Sequence, residues 1–235
     1  ADFSQFRVLL LPHLPIIRPE LRARLTAWVK NGGRLILGPL SGYRSQEFTA
    51  FTDQTFGGLE ELIGATSDVG FSAHWRQTAV RVQFAQGFVG DASSTTRAWC
   101  EAYTPTTGKA VAHYVGPGEY GHQRVAAVVH HLGRGHVITL GCMLTPAIYR
   151  QLVEQVLGEV GIQPVAQGDP LVVVVPRADG SGQVRGYGVV NLNQTPATIT
   201  LPTGGVDRLT GVQVQPQIEL APLEVRLIEI QPQAR

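Results

Sequence analysis

Three kinds of side chain in this sequence could carry chemistry, and each sits where the pattern can be tested. The turn Gly38-Pro39-Leu40-Ser41-Gly42 follows the apolar run Arg34–Leu37, and ligands in open α/β sheets gather beyond the carboxyl ends of strands. A serine nucleophile there would need a Gly-x-Ser-x-Gly elbow leading into a helix. Ser41 stands outside that frame, and no helical pattern follows. A phosphate-cradling loop would need Gly-x-Gly-x-x-Gly or a closing Gly-Lys-Ser/Thr, and neither occurs. Cys142 follows His136-Val137-Ile138-Thr139-Leu140-Gly141 and, with His130, His131 or His136, has the residue types of a thiol–imidazole pair. His130 and His131 are adjacent, however, so on a strand they point to opposite faces. A small buried cysteine at a strand end is the commoner meaning.

Carboxylates offer a second chemistry. Glycoside hydrolysis needs two flanking a sugar. Glu60 with Glu61 and Glu154 with Glu159 fall on helical patterns as solvated faces, while Glu101 and Glu119 lie among strand segments with no spacing that pairs them. The seven histidines are scattered. No His-x-x-x-His or Cys-x-x-Cys occurs, so neither a metal site nor a cofactor is expected. Aromatic residues crowd one loop: Tyr43, Phe48, Phe51 and Phe56. Aromatics beside polar residues suit a contact surface, and equally suit a loop folded back on its own core. Trp75, Trp99 and Tyr103 could stack on a carbohydrate.

The elements that must hold these residues follow from periodicity. Val8–Leu11 is an apolar run typical of a strand buried on both faces. Pro19 opens a helix whose Leu21, Leu25, Trp28 and Val29 share a face, and Asn31-Gly32-Gly33 stops it. Arg34–Leu37 is the next strand, so the unit reads as a right-handed βαβ crossover in a parallel sheet. "GGLEELIGA" predicts a short helix. "AVRVQF", "RAWCEAY" and "KAVAHYV" predict short strands, and "RVAAVVHHLGRGHVITLGCM" two strands around Gly-Arg-Gly. "PAIYRQLVEQVLGEVGI" predicts a helix with Ile148, Leu152, Val156 and Val160 inward. From Pro170 onward only strands and turns remain, which argues for a β-sandwich. The division is placed at 1–166 and 167–235.

The 235 residues are 43% hydrophobic and 16% charged, with a formal net charge of +1. That leaves ample material for a core, and gives no reason to expect nucleic acid or an anionic membrane as partner. No apolar run is long enough for a membrane span, and no signal peptide is read at the start. Two cysteines cannot build a disulfide framework, so a reducing, cytoplasmic setting is the default. A strand so close to residue 1, with no initiator Met, is expected of part of a longer polypeptide.

These stretches resemble glycoside hydrolase family 42 β-galactosidases. "DFSQFRVLLLPHLPIIRPELRARLTAWVKNGGRLILGPLSGYR", "FGGLEELIGA" and "HVITLGCMLTPAIYRQLVEQVLGEVGIQP" are similar to the family's middle domain. "LVVVVPRADGSGQVRGYGVVNLNQTPATITLP", "DRLTG" and "LAPLEVRLIEI" are similar to its small C-terminal β domain. The resemblance implies an α/β domain of flavodoxin-like, class I glutamine amidotransferase-like parallel-sheet architecture, lacking its first strand–helix unit, followed by a small antiparallel β-sandwich. It implies a homotrimer in the intact parent, and galactoside hydrolysis by two glutamates of an N-terminal TIM barrel. A barrel alone needs ~250 residues, so no catalytic residue is carried onto this chain. The amidotransferase nucleophile is not implied either, because the strand ending at Leu37 carries no cysteine. The loop of Tyr43, Phe48, Phe51 and Phe56 becomes the candidate subunit contact. A free-standing carbohydrate-binding or interaction module and an independent hydrolase or amidotransferase using Cys142 are the competing readings.

Overall fold

The computed structural model describes residues 2–51, 57–72, 79–96, 99–115 and 123–231. The chain divides into two compact units, Ala1–Gly161 and Ile162–Arg235.

The first unit begins as periodicity dictates. Strand β1 (Val8–Leu11) leads through Pro12 and Pro15 to helix α1 (Pro19–Lys30) and strand β2 (Arg34–Leu37). Pro19 occupies the first helical turn, where its missing N–H costs nothing, and Asn31 caps the far end. A one-turn helix α2 (Glu60–Ile63) then opens a run of strands: β3 (Ala65–Ser72), β4 (Val80–Phe84), β5 (Ser93–Thr96), β6 (Trp99–Pro105), β7 (Lys109–Val115), β8 (Val125–Leu132) and β9 (Gly135–Leu140). Helix α3 (Pro146–Glu159) closes the unit.

All nine strands join one sheet in the order β1-β2-β9-β8-β7-β4-β5, with β6 branching from β8 and carrying β3. Alternation along the strands sorts side chains onto two faces. Ile36, Ile138 and Leu140 meet Ile148, Leu152 and Val156 of α3. Leu35, Leu37 and Val137 meet Leu25 and Val29 of α1 and Leu62 and Ile63 of α2. Val160, expected on the inner face of α3, is instead its C-cap.

The expected flavodoxin-like, amidotransferase-like architecture is overturned. Among the described residues, only the β1–β2 and β2–β9 strand pairs of this sheet are parallel. Every other pairing in the sheet is antiparallel, and the protein is mostly β, with 43% strand and 16% helix. The cause lies between residues 64 and 135. A parallel strand needs a long crossover connection, whereas tight turns such as Gly133-Arg134 force neighbours antiparallel. One βαβ unit is therefore embedded in a curled mixed sheet.

The second unit holds two antiparallel sheets. One comprises β10 (Gln167–Gly168), β13 (Ala197–Thr200) and β16 (Gln217–Leu220). The other comprises β11 (Val172–Ala178), β12 (Val184–Asn191), β14 (Gly205–Asp207), β15 (Gln213–Val214) and β17 (Val225–Glu229). Both feed one core, in which Val172, Tyr187, Val189 and Ile228 of the five-stranded sheet meet Ala197, Ile199, Ile218 and Leu220 of the three-stranded one.

Candidate functional site

The turn beyond β2, from Gly38 to Gly42, is largely buried and is held by several hydrogen bonds. Gly38 leaves the strand so close to β1 that a Cβ would overlap the Pro12 carbonyl oxygen. Its N–H donates to Leu11 O at 2.9 Å. The chain then turns through Leu40, which adopts φ 60°, a strained value for a residue with a branched side chain. Beside the backbone bond from the Gly42 N–H to Leu14 O at 2.8 Å, three contacts that involve side chains hold that turn to its surroundings. Nδ1 of His13 lies 3.1 Å from Pro39 O, the Leu14 N–H donates to Ser41 Oγ at 3.3 Å, and the Leu40 N–H donates to Oε1 of Glu101 at 2.9 Å. Ser41 is thereby a buried backbone acceptor, not a nucleophile.

Glu101 is the centre of this arrangement. It is 1% exposed and lies on β6 between two aromatic donors on the same strand face. Oε1 also accepts from Trp99 Nε1 at 3.2 Å, and Oε2 accepts from the Tyr103 hydroxyl at 2.9 Å. Burial raises its pKa above the ordinary carboxylate range, opposed by the hydrogen bonds from Tyr103, Leu40 and Trp99 and by the charge of nearby His13. Both oxygens are engaged in holding neighbours, so Glu101 is a clamp and not a general acid. Glu119, its possible companion in the sequence, lies outside the described residues. The signal for the clamp was present as Trp99-x-Glu101-x-Tyr103, which places two donors on the acid's own strand face. Its distant partner Leu40 left no local trace.

Beyond Ser41 the loop presents its aromatics. Tyr43 meets the Trp99 ring edge-on at 6.1 Å, and the Arg44 guanidinium lies 5.1 Å from the Tyr43 ring centre and 5.8 Å from that of Phe48. Ser45 accepts from the backbone N–H groups of Glu47 and Thr49. This turn lifts Phe48, at φ 62°, to 62% exposure. Phe51 is half-buried, its ring against Gly57, whose carbonyl accepts from Arg22. The four candidates therefore separate: Tyr43 packs on the clamp, Phe48 is offered outward, Phe51 folds back, and Phe56 lies outside the described residues.

Among the described residues the competing sites do not assemble. Cys142 lies opposite Cys100, and burial pushes its thiol up to about 12, the reverse of a nucleophile's need. His130 has Nδ1 3.0 Å from Leu62 O and Nε2 3.1 Å from Thr107 Oγ1, a satisfied core histidine. His131 and His136 meet ring to ring at 5.5 Å. Burial, then Arg34 and His131, depress His136 to about 4. Among the described residues, no three His, Cys, Asp or Glu side chains gather as a metal site. Tyr103 is buried and the Trp99 N–H is committed to Glu101. Trp75 lies outside the described residues. No described helix is long and apolar enough to cross a membrane.

The family model of the β-galactosidase trimerisation domain matches residues 1–163. The chain belongs to the β-galactosidase trimerisation-domain family. Residues 1–163 correspond to the trimerisation domain, a non-catalytic region, of GH42 β-galactosidases. β-Galactosidase YesZ of Bacillus licheniformis is 26% identical over 97% of this chain and 33% of its own length. YesZ of Bacillus subtilis is likewise 26% identical, over 97% of this chain and 34% of its own length. The chain thus spans about a third of these relatives, at their C-terminal end. Among solved structures, a β-galactosidase from Bacillus circulans sp. alkalophilus superposes with a TM-score of 0.85 at 19% identity, over 98% of this chain and 34% of that one. Gan42B, a GH42 β-galactosidase from G. stearothermophilus, superposes with a TM-score of 0.82 at 20% identity, over 99% of this chain and 33% of that one. At these identities the two structures show a shared fold.

Proposed function

We propose that this chain is the assembly portion, with its C-terminal β unit, of a β-galactosidase that works as a homotrimer in the cytoplasm. The match of residues 1–163 to a trimerisation domain carries this reading. The intact parent would hydrolyse terminal β-D-galactosides with retention, through two carboxylates of a preceding barrel. Residues 1–166 and 167–235 would be its two modules. Within the first, the loop from Gly42 to Gly58, with Tyr43, Phe48, Phe51 and Phe56, is the subunit contact. Phe48 supplies an exposed aromatic anchor backed by Arg44, and aromatic and arginine side chains are those that dominate interface energies. Glu101 acts at one remove, by fixing the turn from which the contact springs. Two buried thiols suit the reducing compartment.

Two measurements test the reading together. An antibody to this chain should detect, in the source cells, a polypeptide longer by at least the ~250 residues of a barrel. That polypeptide should release galactose from a chromogenic β-galactoside, while the 235-residue chain should not. A native polypeptide of 25.3 kDa would overturn the parent-enzyme reading and favour a free-standing interaction module. So would a longer one inert on every β-galactoside.

A further inference from the structure

Cys100 and Cys142 lie opposite each other on two chain segments that meet at an isolated antiparallel bridge. The Glu101 N–H donates to Gly141 O at 2.6 Å. A bond from the residue after Cys100 to the residue before Cys142 defines a non-hydrogen-bonded antiparallel pair. In such pairs the Cα atoms lie about 4.5 Å apart and the side chains are at their closest. That separation falls within the range, about 4.4–6.8 Å, that a disulfide spans. Gly141 permits the approach, since a Cβ there would overlap the Glu101 carbonyl oxygen and crowd the Tyr114 hydroxyl. Both cysteines are in the same core cluster, 0% and 1% exposed. The Tyr114 hydroxyl, which donates to Glu101 O at 2.8 Å, belongs to the same buried cluster.

We infer that Cys100 and Cys142 are a redox-sensitive pair, which a low-molecular-weight disulfide closes into a cross-strand disulfide without rearrangement of the sheet. One thiolate attacks the reagent's S–S bond and expels one reagent thiolate. The second cysteine thiolate attacks the resulting mixed disulfide and expels the other. Two S–H bonds are lost from the protein and one S–S bond is gained. The reagent is reduced to two thiols, which take up the two protons. Burial pushes Cys100 to about 11 and Cys142 to about 12, so exchange in the native state is slow and waits on local opening. The closed form would tie the backbone on either side of Glu101 to the segment entering α3, and so stiffen the clamp on Leu40. The inference rests on strand geometry and is independent of the parent's activity.

The test is to incubate the protein with oxidised glutathione in mildly alkaline buffer, quench with acid, unfold, alkylate, and read intact mass and peptide map. The expected product is a monomeric chain two hydrogen atoms lighter, with Cys100 and Cys142 joined and unalkylated. Because the bridge closes a long loop, its melting midpoint should rise by roughly 10 °C. Cys142→Ser should leave Cys100 alkylated or glutathionylated and should show no such rise. The wild-type mass reading stands even where that variant folds poorly. Alkylation of both cysteines, glutathione retained on either, cross-linking between chains, or an oxidised form that melts lower would each overturn the inference.

Discussion

The two units both bury polar side chains, but they use them over different distances. In the second unit Asn191 is fully buried and holds its own turn. Its Nδ2 donates to Thr195 O at 3.0 Å and Ala221 O at 2.8 Å, and its Oδ1 accepts from the Asn193 N–H at 2.9 Å. Asp207 does the same, accepting from the Leu209 N–H at 3.1 Å and the Thr210 hydroxyl at 3.0 Å. Most of these partners lie within four residues; the exceptions, Ala221 for Asn191 and the Leu227 N–H at 3.3 Å for Asp207, are 30 and 20 positions away and belong to the same β unit. In the first unit Glu101 reaches a backbone N–H at Leu40, 61 positions away in sequence. A local bond shapes a turn that exists anyway, whereas a distant one couples an internal strand to a surface loop. The placement of the clamp under the loop read as a subunit contact is what separates a functional polar core from a purely architectural one.

The contrast can be broken by substitution. Glu101→Leu should have the largest effect, because it leaves the Leu40 N–H, Trp99 Nε1 and Tyr103 hydroxyl buried without their acceptor. A loss of about 3–5 kcal/mol is expected, read by denaturant unfolding, with amide exchange accelerated around Leu40 as well as in β6. Asn191→Leu should cost about 2 kcal/mol, with faster exchange confined to the turns at 191–195 and 220–224. If Glu101→Leu left the 38–44 amides as protected as before, the long-range clamp would be refuted.

Acid offers a graded version of the same test. The buried His136 is depressed to about 4 from an ordinary 6.5, by burial first and then by Arg34 and His131. Glu159, 3.6 Å from Nδ1, acts in the opposite sense, but it is 34% exposed and already engaged by Arg34, so burial prevails. A base whose folded pKa is lowered contributes stability that is complete above its unfolded pKa. Stability should therefore fall as pH drops from about 6.5 to about 4, by on the order of 2 kcal/mol, and His136→Gln should flatten that slope. Phe48→Ser should have the smallest effect on the folding of the isolated 235-residue chain, within about 0.5 kcal/mol of the unaltered chain by thermal melting, because there the ring is mostly in solvent.

The same distinction governs what could be read from the sequence. β1, α1 and β2 emerge at the positions their periodicity dictates, and so do the helix of Ile148, Leu152 and Val156 and the strand pair around Gly133. These signals are local. The class of the first domain was misread because it depends on pairing, not on elements. "AVRVQF" and "KAVAHYV" were recognisable as strands, yet nothing in either announces that β4 pairs antiparallel with β7. A single strong βαβ unit then drew the whole domain towards a parallel sheet. Glu101 was visible as an acid among strands, but its role depends on Leu40, and the meeting of Cys100 with Cys142 was equally hidden by sequence distance. The aromatic loop was legible as a cluster, while the sorting of Tyr43 inward and Phe48 outward needed the turn at Ser45.

The central claim is that the loop held by Glu101 joins copies of this chain. Sedimentation velocity on the natural polypeptide that contains it, with and without Phe48→Ser, tests that claim most directly. The account predicts a trimer for the unaltered protein, and dissociation towards a monomer that keeps native circular dichroism for the variant. A trimer that survives the substitution intact would place the subunit contact elsewhere on the molecule and contradict the account.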